Sequence, residues 1–364
     1  MRNVITMEQT EERRYLLALA CLYSNRPRQL RQLKTMYGSA VEAWKHIHET
    51  DMNVALRKAD EEEEFIVKHT ISVWTEDDSD YPQRLKECPD APLLLFGKGD
   101  MRTNEGKMVS VVGTRTCTDR GRDLTRQFVL DLAQRCPDVT IVSGLAYGID
   151  VAAHKAALEA GVPTLIVAGH GLDRIYPAMH RNIAVAALKN GGILTEYMSR
   201  TEPEKYNFVA RDRIIAGMSD AVVVVESKER GGALITAGMA NDYNRSLFAF
   251  PGRVQDETSR GCNQLIRDQK AALIESADDL LRLMLWDAKA SAAVQTQIPL
   301  QIEELTENEQ IVFDKLHEQE DGMQINYIVQ ETRLAYPNVS SALMMLEMKN
   351  LVRGLPGGIY RVLK

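Results

Sequence analysis

Six short apolar runs, separated by helical stretches between residues 107 and 285, constrain the fold most strongly. They read MVSVVG, VTIVSG, PTLIVAG, GGILTE, AVVVVES and SLFAFPG. Each run is nearly continuous rather than alternating, which is typical of a strand that helices cover on both faces. The stretches between them, such as GIDVAAHKAALEAG, have helical apolar spacing. Strands and helices that alternate in this way predict a parallel, doubly wound α/β sheet.

The segments before this region have a different character. Residues 1–70 carry helical apolar spacing, as in YLLALACLY, and predict a small helical domain. Residues 71–104 are short apolar runs punctuated by Pro and Gly, which we interpret as a transition segment. We therefore assign residues 71–287 to the α/β domain.

The C-terminal part is predicted to be a separate module. Residues 288–302, AKASAAVQTQIPLQI, have the small, polar composition of a linker. Residues 303–364 predict three helices, the second of them in MQINYIVQET, and the first preceded by a capping box of Thr306 and Glu309. A hairpin that turns at residues 356–358 follows. Three short helices and a hairpin form the winged-helix plan.

The charge balance argues against a chain that is coated in basic surface. The 364 residues carry a formal net charge of −7, so a nucleic-acid site must be a focused basic pocket. Such a pocket is compatible with this charge because screening acts beyond about 8 Å at physiological salt. Residues 303–364 hold six Lys or Arg and ten Asp or Glu. Their candidate recognition helix, NVSSALMMLEMKN, therefore suits packing or protein contact better than a phosphate backbone.

Several patterns argue against a membrane protein, a secreted protein and a metalloprotein. No apolar run approaches the ~18 residues of a membrane span, and the N-terminus does not resemble a signal peptide. None of the five cysteines forms a CxxC pair, which fits a reducing compartment. His154, His170 and His180 have no metal-ligand spacing. We expect a cytoplasmic protein without metal or cofactor. The spacing of residues leaves open an enzyme that uses the carboxylates of Asp150, Glu196 or Glu226.

Three turns that follow predicted strands carry residues suited to an anion. Ligands of doubly wound sheets bind beyond the carboxyl ends of the strands. Glycine allows close backbone approach, helix starts offer free N–H groups, and arginine binds phosphate with two hydrogen bonds. The candidate residues are Gly113, Thr114, Arg115, Ser143, Gly144, Gly231 and Gly232. Each turn taken alone is equally compatible with a tight strand-to-helix connection that binds nothing.

The segment KYNFVARDR, residues 205–213, places three cations and two aromatic rings within nine residues. Lys205, Arg211 and Arg213 suit phosphates, and Phe208 suits stacking on an unpaired base, a contact of about 1–3 kcal/mol. The alternative is a helix start with a solvated basic face and buried rings. Neither a P-loop nor a GxGxxG pattern is present, which disfavours ATP hydrolysis and NAD chemistry.

A set of motifs occurs in a fixed order between about residues 75 and 285. They are Tyr81-Pro82 with Leu85, Asp90-Ala91-Pro92, VVGTR, SGLAYGID followed by AAH, FVARDRIIAG, ES-x3-GG-x3-TA-x2-A, FAFPG and GCNQLI. With these motifs in this order, the chain resembles the DNA-processing protein A family, DprA, also called Smf. The stretch around Phe208 departs from the family's Phe-Pro-x-Arg-Asn-Arg at Val209 and Asp212, so which arginine faces DNA stays open.

The resemblance implies an extended Rossmann-type domain, a small N-terminal helical (SAM-like) domain and a C-terminal winged helix. It also implies a homodimer that binds single-stranded DNA, protects incoming DNA in natural transformation and loads a RecA-type recombinase without a catalytic step. Carried over by motif, the DNA pocket involves Gly113, Arg115, Ser143, Gly144, Lys205, Phe208, Arg211, Gly231 and Gly232.

An enzyme is the alternative class. Some Rossmann-like relatives hydrolyse nucleotide N-glycosidic bonds and resemble the chain around Gly231 and Gly232. A nucleotide-sensing protein is a further alternative, and a purely structural or scaffolding role, which predicts no DNA affinity at low salt, is a third. Their PGGxGTxxE signature is not matched, because the chain reads RGGALIT without the glutamate placement.

A cluster of apolar residues near the end of the α/β domain predicts the dimer interface. A last strand there would expose a sheet edge, which a symmetry mate can pair. The alternative is internal packing beneath the helix that begins near Ala277. The cluster consists of Leu265, Ile266, Leu273 and Ile274.

Overall fold

The computed structural model describes residues 7–24, 27–286, 305–319, 322–349, 351–355 and 357–363. Its contacts divide the chain into two compact units, Met1–Asp287 and Ala288–Lys364. The predicted linker, residues 288–302, lies outside the described residues, as does Pro356 of the predicted hairpin turn. No helix among the described residues is long and apolar enough to span a membrane.

Four helices open the larger unit. They are α1 (Met7–Leu22), α2 (Pro27–Tyr37), α3 (Ala40–His46) and α4 (Met52–His69). Their core is built around Leu16, Leu17 and Trp44, and it continues through Leu94 and Phe96 of the next domain. The predicted N-terminal helices are therefore packed directly against the α/β domain.

Nine strands form one sheet. They are β1 (Ser72–Thr75), β2 (Leu94–Asp100), β3 (Lys107–Val112), β4 (Val139–Ser143), β5 (Thr164–Val167), β6 (Gly191–Thr195), β7 (Ala221–Val224), β8 (Ser246–Ala249) and β9 (Ala272–Leu273). Their order across the sheet is β1-β2-β6-β5-β4-β3-β7-β8-β9. The six predicted apolar runs are strands β3 to β8. In the spatial order β6-β5-β4-β3-β7-β8-β9, every pair of neighbouring strands is parallel. The predicted doubly wound α/β fold is confirmed.

Residues 71–104 extend the sheet rather than merely leading into it. Strand β1 pairs antiparallel with β2, and β2 pairs antiparallel with β6. Helix α5 (Gln83–Lys86) lies between β1 and β2 in the chain. Gly99 has a φ of 124°, and a Cβ there would collide with the carbonyl of Gly191, so glycine permits the close pairing of β2 with β6.

Seven further helices among the described residues of the larger unit accompany the sheet. They are α6 (Asp119–Arg135), α7 (Ile149–Ala160), α8 (Arg181–Ala187), α9 (Lys205–Gly217), α10 (Ala233–Asp242), α11 (Arg260–Arg267) and α12 (Ala277–Leu283). Successive side chains of a strand point to opposite faces of the sheet. On β3, Met108 and Val112 join the core that contains residues of α9 and α10, whereas Val109 and Val111 join the core that contains residues of α6 and α7. Burial on both faces explains the continuous apolar runs.

The second unit has the predicted winged-helix plan. Its described helices are Glu307–His317, Ile325–Thr332 and Tyr336–Met348, and its three strands are β10 (Met323–Gln324), β11 (Val352–Leu355) and β12 (Ile359–Val362). The predicted capping box is present, because Thr306 and Glu309 each accept the other's backbone N–H with a side-chain oxygen. The second helix begins at Ile325 rather than at Met323, because Met323 and Gln324 pair with β12.

The four residues of the predicted dimer interface differ in burial. Strand β9 is an edge of the sheet, and Leu273 on it is 46% exposed. Ile266 on α11 is half-buried. Leu265 and Ile274 are buried in the chain's own cores, so they are not available to a partner. The internal packing that the sequence left open thus applies to these two residues.

Candidate nucleic-acid interface

The three turns selected from the sequence follow the carboxyl ends of β3, β4 and β7. These strands run parallel, so the turns lie on the same side of the sheet. Strand β3 lies between β4 and β7, so the chain continues on one side of β3 and later returns on the other. Doubly wound sheets bind ligands in the crevice at such a reversal. The loop after β6 starts on the same side, at the carboxyl end of that strand, and leads into α9, which begins at Lys205.

Arg115 projects from the first turn, which Gly113 and Thr114 build. A Cβ on Gly113 would collide with the side chain of Ile149, so the turn lies close to the start of α7. The N–H of Thr114 donates to the carbonyl of Glu226 at 2.8 Å. The side chain of Arg115 is exposed, and no hydrogen bond or ion pair within the described residues engages it.

Ser143 and Gly144 hold the second turn together and offer little to a ligand. The hydroxyl of Ser143 donates to the carbonyl of Val111 at 2.7 Å, and Ser143 is fully buried. The N–H of Gly144 donates to Asp150 at 3.2 Å. A Cβ on Gly144 would collide with the guanidinium of Arg211, which explains why glycine is needed there.

Arg211 is a buried link between strand ends. It is 3% exposed, and it donates to the carbonyl of Gly144 at 2.9 Å and to the carbonyl of Val167. Its Nε also donates to Asp212 at 3.2 Å. Burial raises the pKa of Asp212 to about 6, and the charge of Arg211 opposes the rise. The aspartate that departs from the family pattern is therefore paired with an arginine inside the protein.

Arg213 is also withdrawn from solvent. It forms an ion pair with Glu196, and its Nε lies 4.0 Å from a carboxylate oxygen of Asp90. Burial raises the pKa of Glu196 above its usual range, and the charge of Arg213 opposes the rise. Neither arginine of α9 presents its charge at the surface.

One exposed cation, Arg115, lies beside an aromatic ring. The ring of Phe208 is 5.5 Å from the ring of Tyr176, with 29° between their planes. The guanidinium of Arg115 lies 5.6 Å from the centroid of Phe208. Lys205 is exposed at the start of α9 and has no side-chain partner among the described residues. We call Arg115, Tyr176, Lys205 and Phe208 the strand-end surface.

Sequence reasoning missed Tyr176 and Tyr147. Both are large, exposed aromatic residues in loops that follow parallel strands, Tyr147 after β4 and Tyr176 after β5. The ring of Tyr147 meets the ring of His180 edge-on, with centroids 5.1 Å apart. An aromatic residue in the loop that follows a predicted parallel strand is the signal that identifies such positions.

The third turn contains a carboxylate that binds the start of a helix. Glu226 accepts the backbone N–H of Thr118 at 2.9 Å and the hydroxyl of the same residue. A Cβ on Gly121 would collide with this carboxylate. The N-terminus of α6, where backbone N–H groups favour an anion, is therefore occupied by an anion of the chain itself.

The two glycines of the third turn differ in their surroundings. A Cβ on Gly231 would collide with the hydroxyl of Ser227, so Gly231 is required by the fold. A Cβ on Gly232 would meet nothing within 4 Å. Gly232 is exposed directly before α10, where a ligand can approach its backbone.

The strand-end surface combines exposed cations with aromatic residues. Its side chains supply positive charge and aromatic faces. The histidine nearest in sequence to the second turn, His154, is fully buried, and burial lowers its pKa to about 3, so it stays neutral. No three His, Cys, Asp or Glu side chains within the described residues are grouped to hold a metal ion.

The fold and this surface define a class of protein, in which a Rossmann-type domain offers cations and aromatic rings at its strand ends and is accompanied by a winged helix. The family model of DNA recombination-mediator protein A matches residues 72–285, and that of the DprA winged helix domain matches residues 297–358. The chain belongs to the DNA recombination-mediator protein A (DprA) family, as its motifs predicted.

Two curated relatives support this assignment. Protein Smf of Synechocystis is 37% identical over 317 residues, which cover 79% of this chain and 79% of the relative. DNA processing protein DprA of Streptococcus pneumoniae is 41% identical over 204 residues, which cover 56% of this chain and 71% of the relative.

Solved structures of the family share the fold. The X-ray structure of DprA from Streptococcus pneumoniae matches with a TM-score of 0.61 and 32% identity, over 76% of this chain and 98% of that one. DNA processing protein A from Helicobacter pylori, whose structure was solved for its single-stranded DNA binding mode, matches with a TM-score of 0.54 and 28% identity, over 60% and 96%.

Proposed function

We propose that this protein binds single-stranded DNA at the strand-end surface, protects incoming DNA during natural transformation, and delivers it to a RecA-type recombinase without a catalytic step. The observation that carries the proposal is the contact of Arg115 with Phe208, 5.6 Å from guanidinium to ring centroid, beside exposed Lys205. A cation suits a phosphate and a ring suits an unpaired base, whereas the bases of a duplex are already stacked.

The charge of the chain makes these two cations important. A net charge of −7 does not favour general binding of a polyanion. Arg211 and Arg213 are committed to carbonyls and carboxylates within the protein. Arg115 and Lys205 form no ion pair among the described residues, although the charge of Arg115 also acts on Asp150 and Asp212. Both side chains are exposed, so their positive charge is available to phosphates.

The relatives support the ligand and the partner. The single-stranded DNA binding mode of the Helicobacter pylori relative favours the same ligand for this chain. The family description as a recombination mediator favours a recombinase as the acceptor of the bound strand. All five cysteines are free thiols, which fits a function in the reducing cytoplasm.

We further propose a homodimer that pairs through the edge strand β9. Leu273 is exposed on this strand and half-buried Ile266 lies on the preceding helix. An unpaired strand edge is satisfied when a second copy extends the sheet. A dimer carries two strand-end surfaces, which increases avidity for strands long enough to reach both.

Fluorescence anisotropy with matched single- and double-stranded oligonucleotides tests the DNA ligand. We expect clear preference for the single strand, weaker binding with Arg115→Ala, and transfer of the bound strand to purified RecA-type recombinase. Equal binding of both forms, or none at low salt, would refute the proposal. Release of free base from nucleoside monophosphates would favour the N-glycosidic hydrolase instead.

A further inference from the structure

Two consecutive acids of helix α4 hold the loop that precedes α9. Glu62 is 4% exposed, and both of its carboxylate oxygens lie 3.0 Å from the N–H of Ser199. The hydroxyl of Ser199 also donates to this carboxylate. The neighbouring Glu61 forms an ion pair with Arg200 at 2.7 Å. The N-terminal helices therefore contact loop 196–204 at two adjacent residues, Ser199 and Arg200.

The loop 196–204 is bound in turn to the loop that follows β5, residues 168–177. The N–H of Arg200 donates to Asp173 at 2.8 Å, and the N–H of Gly171 donates to the carbonyl of Thr201 at 3.2 Å. Leu172 and Met198, one from each loop, pack against the core of the N-terminal helices. The two loops and helix α4 form one junction.

Both aromatic residues of the strand-end surface lie on segments that belong to this junction or directly follow it. Loop 196–204 ends at Glu204, the N-cap of α9, and the first turn of that helix carries Lys205 and Phe208. Loop 168–177 carries Tyr176, which stacks on Phe208. A shift of either loop would change how the two rings meet.

We infer that Glu62 is a positioning residue for single-stranded DNA, and that the N-terminal helices set the geometry of the strand-end surface through the contact of Glu62 with Ser199. The inference rests on the proposed function. Ser199 offers two donors, its N–H and its hydroxyl, and a carboxylate accepts both with charge-assisted hydrogen bonds. A glutamine at this position has one acceptor oxygen and brings an NH₂ group against the same donors.

The buried carboxylate is compatible with a fold only because it is hydrogen-bonded. An unpaired buried charge is strongly destabilising. Burial raises the pKa of Glu62, and the hydroxyl and N–H of Ser199 oppose the rise. A solvent-exposed glutamate would serve solubility equally well, so burial against one loop residue indicates a role in fixing that loop.

The test uses the full chain with Glu62→Gln and Ser199→Ala. Anisotropy gives the affinity for a single-stranded oligonucleotide, and quenching of 2-aminopurine in that oligonucleotide reports base stacking in the saturated complex. We expect affinity to fall about threefold to tenfold in each variant, because part of the free energy of a charge-assisted hydrogen bond is transmitted to the rings. We expect reduced quenching at saturation and an unchanged salt slope, since no phosphate-binding cation is lost.

Two controls separate positioning from charge and from stability. Glu64→Gln makes the same charge change two residues further along α4, at an exposed side chain with no partner among the described residues. It should leave affinity unchanged or slightly raise it. Ser199→Thr keeps both donors and should restore wild-type quenching. Ser199→Ala leaves α4 intact, so the inference stays testable if Glu62→Gln unfolds the chain.

The outcomes distinguish this inference from the proposed function. If Arg115→Ala weakens binding while Glu62→Gln and Ser199→Ala bind and quench as the wild type does, the positioning role is refuted and the DNA surface stands. If Ser199→Thr is as defective as Ser199→Ala, the hydroxyl is not the link and the positioning role also fails. If the wild type does not bind single-stranded DNA, the proposed function itself is wrong.

Discussion

The guanidinium of Arg115 lies over the ring of Phe208, 5.6 Å from its centroid. Arg115 follows strand β3 and Phe208 belongs to helix α9, so only the assembled sheet brings them together. A cation–π contact orients an arginine without the neutralising carboxylate of an ion pair. A cation, which suits a phosphate, and a ring, which suits an unpaired base, therefore occupy adjacent positions.

Replacing Arg115 or Lys205 with alanine is expected to weaken binding to single-stranded DNA and to flatten its salt dependence. Each contact between a cation and a phosphate contributes about 0.7 to the slope of log K against log salt concentration for single strands. Anisotropy titrations at several salt concentrations measure both quantities. Lys189→Ala is the matched control, because exposed Lys189 lies just before β6, at the amino ends of the parallel strands and away from the candidate site. Unchanged slopes in both folded site variants would remove these cations from the interface.

Phe208→Ala is expected to weaken binding by roughly 1–3 kcal/mol, because one stacked base is lost, while the salt slope stays the same. Phe208→Tyr keeps the ring and should retain most of the affinity. Thermal unfolding has to accompany the titrations, since Phe208 is half-buried. If Phe208→Ala loses its cooperative unfolding transition, the ring serves the core and the stacking role is refuted.

Arg211→Ala is expected to lower the free energy of unfolding by about 3–5 kcal/mol, because removal of one partner leaves a buried charge uncompensated. The carboxylate of Asp212 would lose its pair, and the carbonyls of Gly144 and Val167 would lose a donor. Chemical denaturation measures the effect, and Lys205→Ala in the same helix should change stability by less than about 0.5 kcal/mol. A stable Arg211→Ala protein that fails to bind DNA would instead make Arg211 a ligand contact.

The stability of the protein is expected to fall in mild acid because of His154. Burial lowers its pKa to about 3, and its Nδ1 lies 2.7 Å from the hydroxyl oxygen of Thr164. In the unfolded chain a histidine titrates near pH 6.5. Below that pH the unfolded state binds a proton that the folded state rejects, so stability is lost as the pH falls from about 6.5 towards 3. Melting temperatures at pH 7 and pH 5 should differ less for His154→Gln than for the wild type. An equal difference would assign the acid sensitivity to another group.

Leu273→Glu is expected to convert the proposed dimer into a monomer, because it adds a charge to the strand edge proposed to pair. Ile266→Glu should act in the same direction from the preceding helix. Leu283→Glu is the matched control, since Leu283 on α12 is 48% exposed and Leu273 is 46% exposed. Light scattering gives the mass of each variant. A wild type that is monomeric at micromolar concentration contradicts the dimer, and dimeric, folded Leu273→Glu and Ile266→Glu proteins move the interface elsewhere, with the winged helix as the next candidate.

The parallel strands were predictable because burial on two faces leaves a continuous apolar run. Strand β2 was not predictable in this way, since Gly97 and Gly99 interrupt it. The reason for each glycine lies outside the segment. A Cβ on Gly97 would collide with Met101 and Trp74, and a Cβ on Gly99 would collide with Gly191. Such contacts exist only in the folded sheet.

The location of the candidate site followed from the strand-end rule, but the role of each cation did not. Sequence reasoning identifies the arginines of α9 without showing which of them are already engaged. The partners of Arg211 and Arg213 include Val167 and Glu196, which belong to other strand ends. Leu265 and Ile274 illustrate the same point, because an apolar residue that packs inward and one that awaits a partner have the same side chain.

The carboxylate of Glu226 at the start of α6 has a consequence for the binding of free phosphates and nucleotides. In dinucleotide-binding sheets, the helix after the first parallel strand receives a pyrophosphate at this position. Here any free phosphate must displace a group tethered to the same chain, whose local concentration does not fall on dilution. The carboxylate of Glu226 would therefore compete with a free phosphate or nucleotide for this helix start. Under the proposed function, the neighbouring strand ends bind phosphates that arrive in series, joined to their bases along a polymer.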